Sequence, residues 1–207
     1  MANDFGFDDK QKDLYLGAYI SGAFFAVGAP AALLVGYISD RVNRKWLLCG
    51  LVILGEAPCI ATVAVTAYWH LFILRILTGI SLGGSLPLAF SMVGDLYGSK
   101  QRAAVLALVQ ISTGAGIAIG QAIAGFVGPW LGWRWPFVVV AIPALAVTAL
   151  LTATTVDPPR GAADDALQAQ VDQGFVYSER MDWAKMKTLL HTKSSLFCIL
   201  QVCRAFQ

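Results

Sequence analysis

Glu56 and Arg75 stand inside long stretches that are otherwise uncharged. Glu56 is the eleventh residue of a run opening at Trp46. At 1.5 Å per helical residue it lies about 15 Å along that run. An ionisable group in apolar surroundings costs several kcal/mol, so its presence needs a reason. The chemistry open to Glu56 is proton coupling, substrate contact, or a neutral hydrogen-bonded tie between helices beside the bend at Pro58. Arg75 is fifth in its own run and, by depth alone, about 10–15 Å from Glu56. A direct ion pair needs helix tilt or a long reach, and snorkelling of the guanidinium to a boundary competes with it. Gln110, Ser112, Thr113 and Gln121 add polar groups to a charge-free stretch and are candidate cavity-lining residues. The four cysteines, Cys49, Cys59, Cys198 and Cys203, show no metal-ligand spacing and serve as apolar filler. The histidines, His70 and His191, are isolated, and neither GxSxG nor HExxH occurs. The sequence thus argues against an enzyme and calls for no metal or cofactor.

The elements that must position these residues are long and apolar. Only 14% of the 207 residues are charged and 57% are hydrophobic, against about 25% charged in soluble domains. Five runs carry one charge or none: 14–39, 46–69, 71–94, 103–127 and 135–156. A bilayer core about 30 Å thick needs about 20 helical residues, so each run predicts a membrane span. The fourth is expected to end near Phe126, with Gly128-Pro129 as an interfacial turn. Residues 1–13 form a short acidic segment outside the bundle. Residues 157–195 hold eleven charges and form a linker, in which Trp183, Met186, Leu189 and Leu190 mark an amphipathic helix. Residues 196–207 turn apolar again, as the start of a further span. The expected architecture is all-α, a multi-spanning membrane helix bundle.

Cations set the orientation. Arg41, Arg44 and Lys45 lie in one short loop and Lys100 and Arg102 in another, which puts both in the cytoplasm. Tyr68, Trp69, Trp130, Trp133 and Trp135 then gather at the outer boundary. The net charge of +2 gives no reason to expect nucleic acid; the partner is the lipid bilayer. Small residues recur four apart: Gly28, Ala32 and Gly36 on the first span, Gly79 and Gly83 on the third, Gly116 and Gly120 on the fourth. In lipid, close backbone approach supplies helix association, so these faces predict a tight bundle.

The segment Gly36-Tyr37-Ile38-Ser39-Asp40-Arg41-Val42-Asn43-Arg44-Lys45 resembles the signature loop of the major facilitator superfamily. Asn43 stands where glycine is usual, and it tolerates the left-handed turn expected there. In register behind it, Arg75 four residues before Gly79 resembles the family's fourth-helix pattern. Asp95 and Arg102 bound the next cytoplasmic loop, and Trp133-Arg134-Trp135-Pro136-Phe137 resembles the entry to the sixth helix. The Asp-Arg-x-Asn-Arg-Lys form is similar to spinster-type lipid transporters, although Ile80 to Ser85 carries no acidic residue where those proteins often do.

The resemblance implies that the five spans are helices 2–6 of twelve, with a first helix and a C-terminal six-helix half lying beyond this chain. It implies an Arg44–Asp95 contact, with Asp40 facing the second half, and a substrate or proton-relay role for Arg75. The expected function of the full-length protein is alternating-access transport of a small organic or amphipathic, lipid-like solute, coupled to protons. The chain alone is expected to be inactive. The alternative is a truncated regulator, or a receptor-like membrane protein, that pairs with full-length transporters. Either way the protein is integral and multi-pass, in a plasma or organelle membrane.

Overall fold

The structure, a computed structural model, describes residues 3–155. The expected linker with its amphipathic helix (157–195) and the apolar segment 196–207 lie outside the described residues. Among the described residues, five helices are long and apolar enough to cross a membrane: α1 (Asp9–Ser39), α2 (Arg44–Ala61), α3 (Tyr68–Leu96), α4 (Ser99–Leu131) and α5 (Trp135–Thr154). Among the described residues there is no strand. The expected all-α membrane bundle is what the residues build.

Local chemistry sets the helix limits. α1 begins at Asp9, inside the acidic segment expected to stay outside the bundle, and the Gln11 side chain accepts a hydrogen bond from the Asp8 N–H at 3.2 Å. Its early turns, Lys12–Tyr19, are wound as π-helix. Asn43 caps α2 by accepting from the Trp46 N–H at 3.3 Å, with φ −66°. The residue replacing glycine in the signature loop therefore works as a side-chain cap and not, as expected, through a left-handed backbone. α2 gives way to a short 3₁₀ turn at Thr62–Ala64, well before Trp69. Thr62, Val63, Val65 and Thr66 are β-branched and weaken helix there. α4 does not stop near Phe126: it runs through Pro129 to Leu131 and ends at Gly132, whose φ of 87° glycine accepts without strain. Pro136 follows in the first turn of α5, where its missing N–H is harmless.

The packing is uneven. α3 is the hub, touching α1 most and α2 next, while α2 also packs on α5. Val35, Leu51 and Leu88 form the buried core of this group, flanked by Leu47, Leu48 and Met92. α4 buries no residue. Its apolar side chains face outward, as lipid or further protein would require.

Two ends can be told apart. The basic end holds Asp40, Arg41, Arg44, Lys45, Asp95 and Arg102. The aromatic end holds Phe5, Phe7, Tyr15, Tyr68 and Trp133, with ring centroids of neighbouring pairs 5.2–5.9 Å apart.

Candidate functional site

A cavity of about 700 Å³ lies between α2, α4 and α5 in the half of the bundle towards the aromatic end. Glu56 and Cys59 line it from α2, Gly120 and Ala124 from α4, and Trp133 and Phe137 from the start of α5 and the turn before it. The wall is mostly apolar with a carboxyl set into it. Glu56 is half-buried and forms no ion pair among the described residues. It precedes Pro58, which lacks an N–H and so cannot complete the helix ladder there.

Arg75 reaches the same neighbourhood from α3. Its Nη2 donates to Thr62 Oγ1 at 2.9 Å, and its Cζ lies 4.2 Å above the ring of Phe137. Thr62 is fully buried and donates in turn to the Pro58 carbonyl at 2.9 Å. The guanidinium is thus held by a hydroxyl and an aromatic face, and not by a carboxylate. The direct Glu56–Arg75 pair is not formed. Cys59 lies within electrostatic reach of both. Arg75 turns towards the aromatic end, onto Phe137 in the first turn of α5, which itself lines the cavity.

At the basic end Arg44 is the centre. It bonds Asp95 at the end of α3 through Nη1, and its Nη2 lies 3.9 Å from Asp40 after α1. Arg44, Asp95 and Asp40 side chains are only 11%, 16% and 24% exposed. Asp40, expected to face a second half, lies beside the same guanidinium. Arg102 donates to the Gly94 carbonyl at 2.7 Å, tying α4 to the end of α3. Arg41 lies over the Tyr37 ring at 4.1 Å, and Lys45 donates to the Thr155 carbonyl at 2.5 Å.

The aromatic end has its own tie, which spacing alone did not mark. The Asp4 carboxylate accepts from Trp133 Nε1 at 2.9 Å and Arg134 Nη1 at 2.8 Å. Arg134 also donates to the Val65 carbonyl at 2.9 Å. The indole and guanidinium hydrogen bonds hold the Asp4 carboxyl below its ordinary range.

The small-residue faces divide. A Cβ on Gly28 would meet the Gly79 carbonyl oxygen at 3.0 Å, one on Gly79 the Phe24 carbonyl oxygen at 2.7 Å, and one on Gly83 the backbone of Gly28. Ala32 is half-buried beside this contact. Gly36, Gly116 and Gly120 meet nothing within 4 Å, so their expected packing role is not seen among the described residues. Gln110 and Gln121 are exposed on α4 and do not line the cavity. Spacing also missed Ser81, whose hydroxyl donates to the Leu51 carbonyl at 2.6 Å and fills the place opposite Gly55.

Residues 1–206 match the sequence pattern of the Major Facilitator Superfamily, and the chain belongs to that family. It is similar to the sphingosine-1-phosphate transporter SPNS2 of Danio rerio, 27% identical over 201 residues, covering 93% of this chain and 38% of that protein. It is similar to human protein spinster homolog 1, 28% identical over 168 residues, 77% of this chain and 30% of that one. The 3-(3-hydroxy-phenyl)propionate transporter of Escherichia coli is 30% identical over 154 residues, 73% of this chain and 36% of that one. Among solved structures, a bacterial homologue of the human lysosomal transporter Spinster, in an inward-facing and occupied conformation, matches with a TM-score of 0.57 and 27% identity. That match covers 78% of this chain and 40% of the other. The chain thus spans about a third of the length of the curated relatives it matches. It is an integral, multi-pass membrane protein.

Proposed function

We propose that the full-length protein moves a small organic or amphipathic, lipid-like solute across the membrane by alternating access, and that protons drive it. The observation that carries this reading is the cavity of about 700 Å³ with an ion-unpaired carboxyl, Glu56, in its wall. Its volume falls in the range of ligand pockets, about 300–1,000 Å³. Its lining suits an apolar body, while Glu56 and the nearby Arg75 supply one group of each sign for a polar head or a proton. Names of relatives that include a sphingosine-1-phosphate and an aromatic-acid transporter support an acidic, partly apolar solute.

In this reading the five helices are the second to sixth of twelve, α1–α5 belong to one repeat, and the opposing repeat closes the site at the membrane midplane. The Arg44–Asp95–Asp40 cluster steadies the basic end in one state and breaks on opening. Residues 1–207 alone, with nothing to rock against, do not transport.

The test is uptake into proteoliposomes by the full-length protein, with sphingosine-1-phosphate as the first probe and a proton gradient imposed. Glu56→Gln is expected to abolish accumulation driven by the gradient while leaving exchange across equal pH. Gradient-driven accumulation by Glu56→Gln at the wild-type rate would overturn the coupling role.

A further inference from the structure

We propose that a groove at the basic end, between α2, α3 and α5, binds an anionic phospholipid, its phosphate on Lys45 and one acyl chain along the groove. The groove encloses about 340 Å³ and shares no lining residue with the Glu56 cavity. Lys45, Leu96 and Thr155, at the ends of their helices, mark its mouth. Val52, on the same wall as Lys45, lies seven residues further on, about 10 Å deeper. A slot that starts at the boundary and descends two helical turns into the apolar layer has the shape an acyl chain needs.

Its chemistry divides in the same way. Leu48, Val52, Met92 and Leu151 give an apolar wall. The three lining threonine hydroxyls donate internally: Thr148 to the Ala144 carbonyl at 2.8 Å, Thr152 to the Thr148 carbonyl and Thr155 to the Leu151 carbonyl. With their donors spent in this way they demand no polar ligand. Leu96 and Leu151 are 52% and 53% exposed, so the slot is open on its flank.

The charge sits at the mouth. Lys45 forms no ion pair among the described residues, while the neighbouring carboxylates of Asp40 and Asp95 both face Arg44. Its ammonium meets a neutral carbonyl at Thr155, and the Trp46 ring at 5.7 Å. Trp46, 64% exposed, is placed as an interfacial tryptophan. A cation at the membrane surface attracts anionic lipid, and by the positive-inside rule this end faces the cytoplasmic leaflet. A free phosphate has no use for the slot, and a choline headgroup would bring a second cation towards Lys45.

The measurement is native mass spectrometry of the protein released from micelles containing phosphatidylglycerol or phosphatidylcholine. Wild type is expected to retain one phosphatidylglycerol at least ten-fold more than phosphatidylcholine. Lys45→Gln should fall to the phosphatidylcholine level, and Lys45→Arg should keep the preference. Thr152→Phe, which fills the slot with the cation in place, should also lose it. Lys100→Gln removes an equal charge from an exposed site at the same end and should change nothing.

Equal retention of both lipids by wild type would overturn the proposal. So would Lys100→Gln lowering retention as much as Lys45→Gln, which would mean diffuse surface attraction. Full displacement by millimolar inorganic phosphate would mark an anion site without a chain slot. Retention by a folded Thr152→Phe would say the same. If Thr152→Phe fails to fold, the Lys45→Gln and Lys100→Gln pair decides alone.

Discussion

Gly83→Ala and Gly116→Ala are the same change at the same kind of spacing, and they should move stability in opposite directions. On α3, a Cβ at Gly83 would land within 3.0 Å of three backbone atoms of Gly28. Backbone cannot rotate aside, so α1 and α3 must part. Overpacking costs about 1–3 kcal/mol, and backbone against backbone belongs at the upper end. Replacing glycine within a helix returns about 1 kcal/mol, which leaves a net loss of about 2 kcal/mol. For a domain of this size each kcal/mol shifts Tm by about 2–4 °C, so Gly83→Ala should melt about 4–8 °C lower. At Gly116 an added Cβ meets nothing within 4 Å. There the unfolded-state term acts alone, about 0.4–1 kcal/mol in favour, and Tm should rise by about 1–4 °C. Thermal melting of the 207-residue chain in micelles, followed by loss of the monodisperse peak on gel filtration, reads both. If the two variants shift the same way, or if Gly83→Ala melts like wild type, backbone contact does not hold α1 to α3.

Further expectations follow from the ties at each end. Asp95→Ala leaves Arg44 with only Asp40 at 3.9 Å. The same melt should show a loss of about 2–3 kcal/mol, below the 3–5 kcal/mol of a fully buried pair, and an unchanged Tm would place the pair in solvent. Thr62→Val removes the hydroxyl on Arg75 and should cost about 1.5–3 kcal/mol, as for hydrogen bonds to charged groups; Thr62→Ser should restore it, and equal melts for Val and Ser would refute the contact. The depressed Asp4 carboxyl stabilises its tie to Trp133 and Arg134 above the ordinary carboxylate value of about 4. That contribution is lost as pH falls through the lower folded value. Tryptophan emission of wild type should shift in that acid range and that of Asp4→Asn should not; parallel profiles would exclude the tie.

The membrane class was plain in the sequence because charge is costly in lipid, and five long runs with one charge or none could hardly be anything else. Helix limits were less legible. The β-branched residues after Thr62 ended α2 early, and α4 runs two residues past Pro129 before Gly132 ends it. Of the candidate site, Glu56 was visible as a lone carboxyl in an apolar run. What surrounds it was not: Thr62 and Phe137 are ordinary residues until folding sets them against Arg75. Small-residue spacing marked real contacts at Gly28, Gly79 and Gly83, while Gly116 and Gly120 meet nothing among the described residues, since spacing marks a smooth face without saying what meets it. Asp4 lies 129 positions from Trp133, a separation that no local pattern spans.

The close approach of α1 to α3 also has a consequence for the order of assembly. The helix that follows α1 in the chain is not its tightest partner; Gly28 must wait for Gly79 and Gly83, more than fifty residues later. During synthesis α1 and α2 therefore enter the bilayer with α1's smooth face turned to lipid or to the insertion machinery. Only when α3 is complete can α1, α2 and α3 lock. Ribosome-bound chains ending before residue 79 should leave a crosslinker at Phe24 or Gly28 reactive towards lipid, and chains long enough for all of α3 to have left the ribosome should protect it. The glycines of α3 thus time the departure of α1 as well as fixing its place.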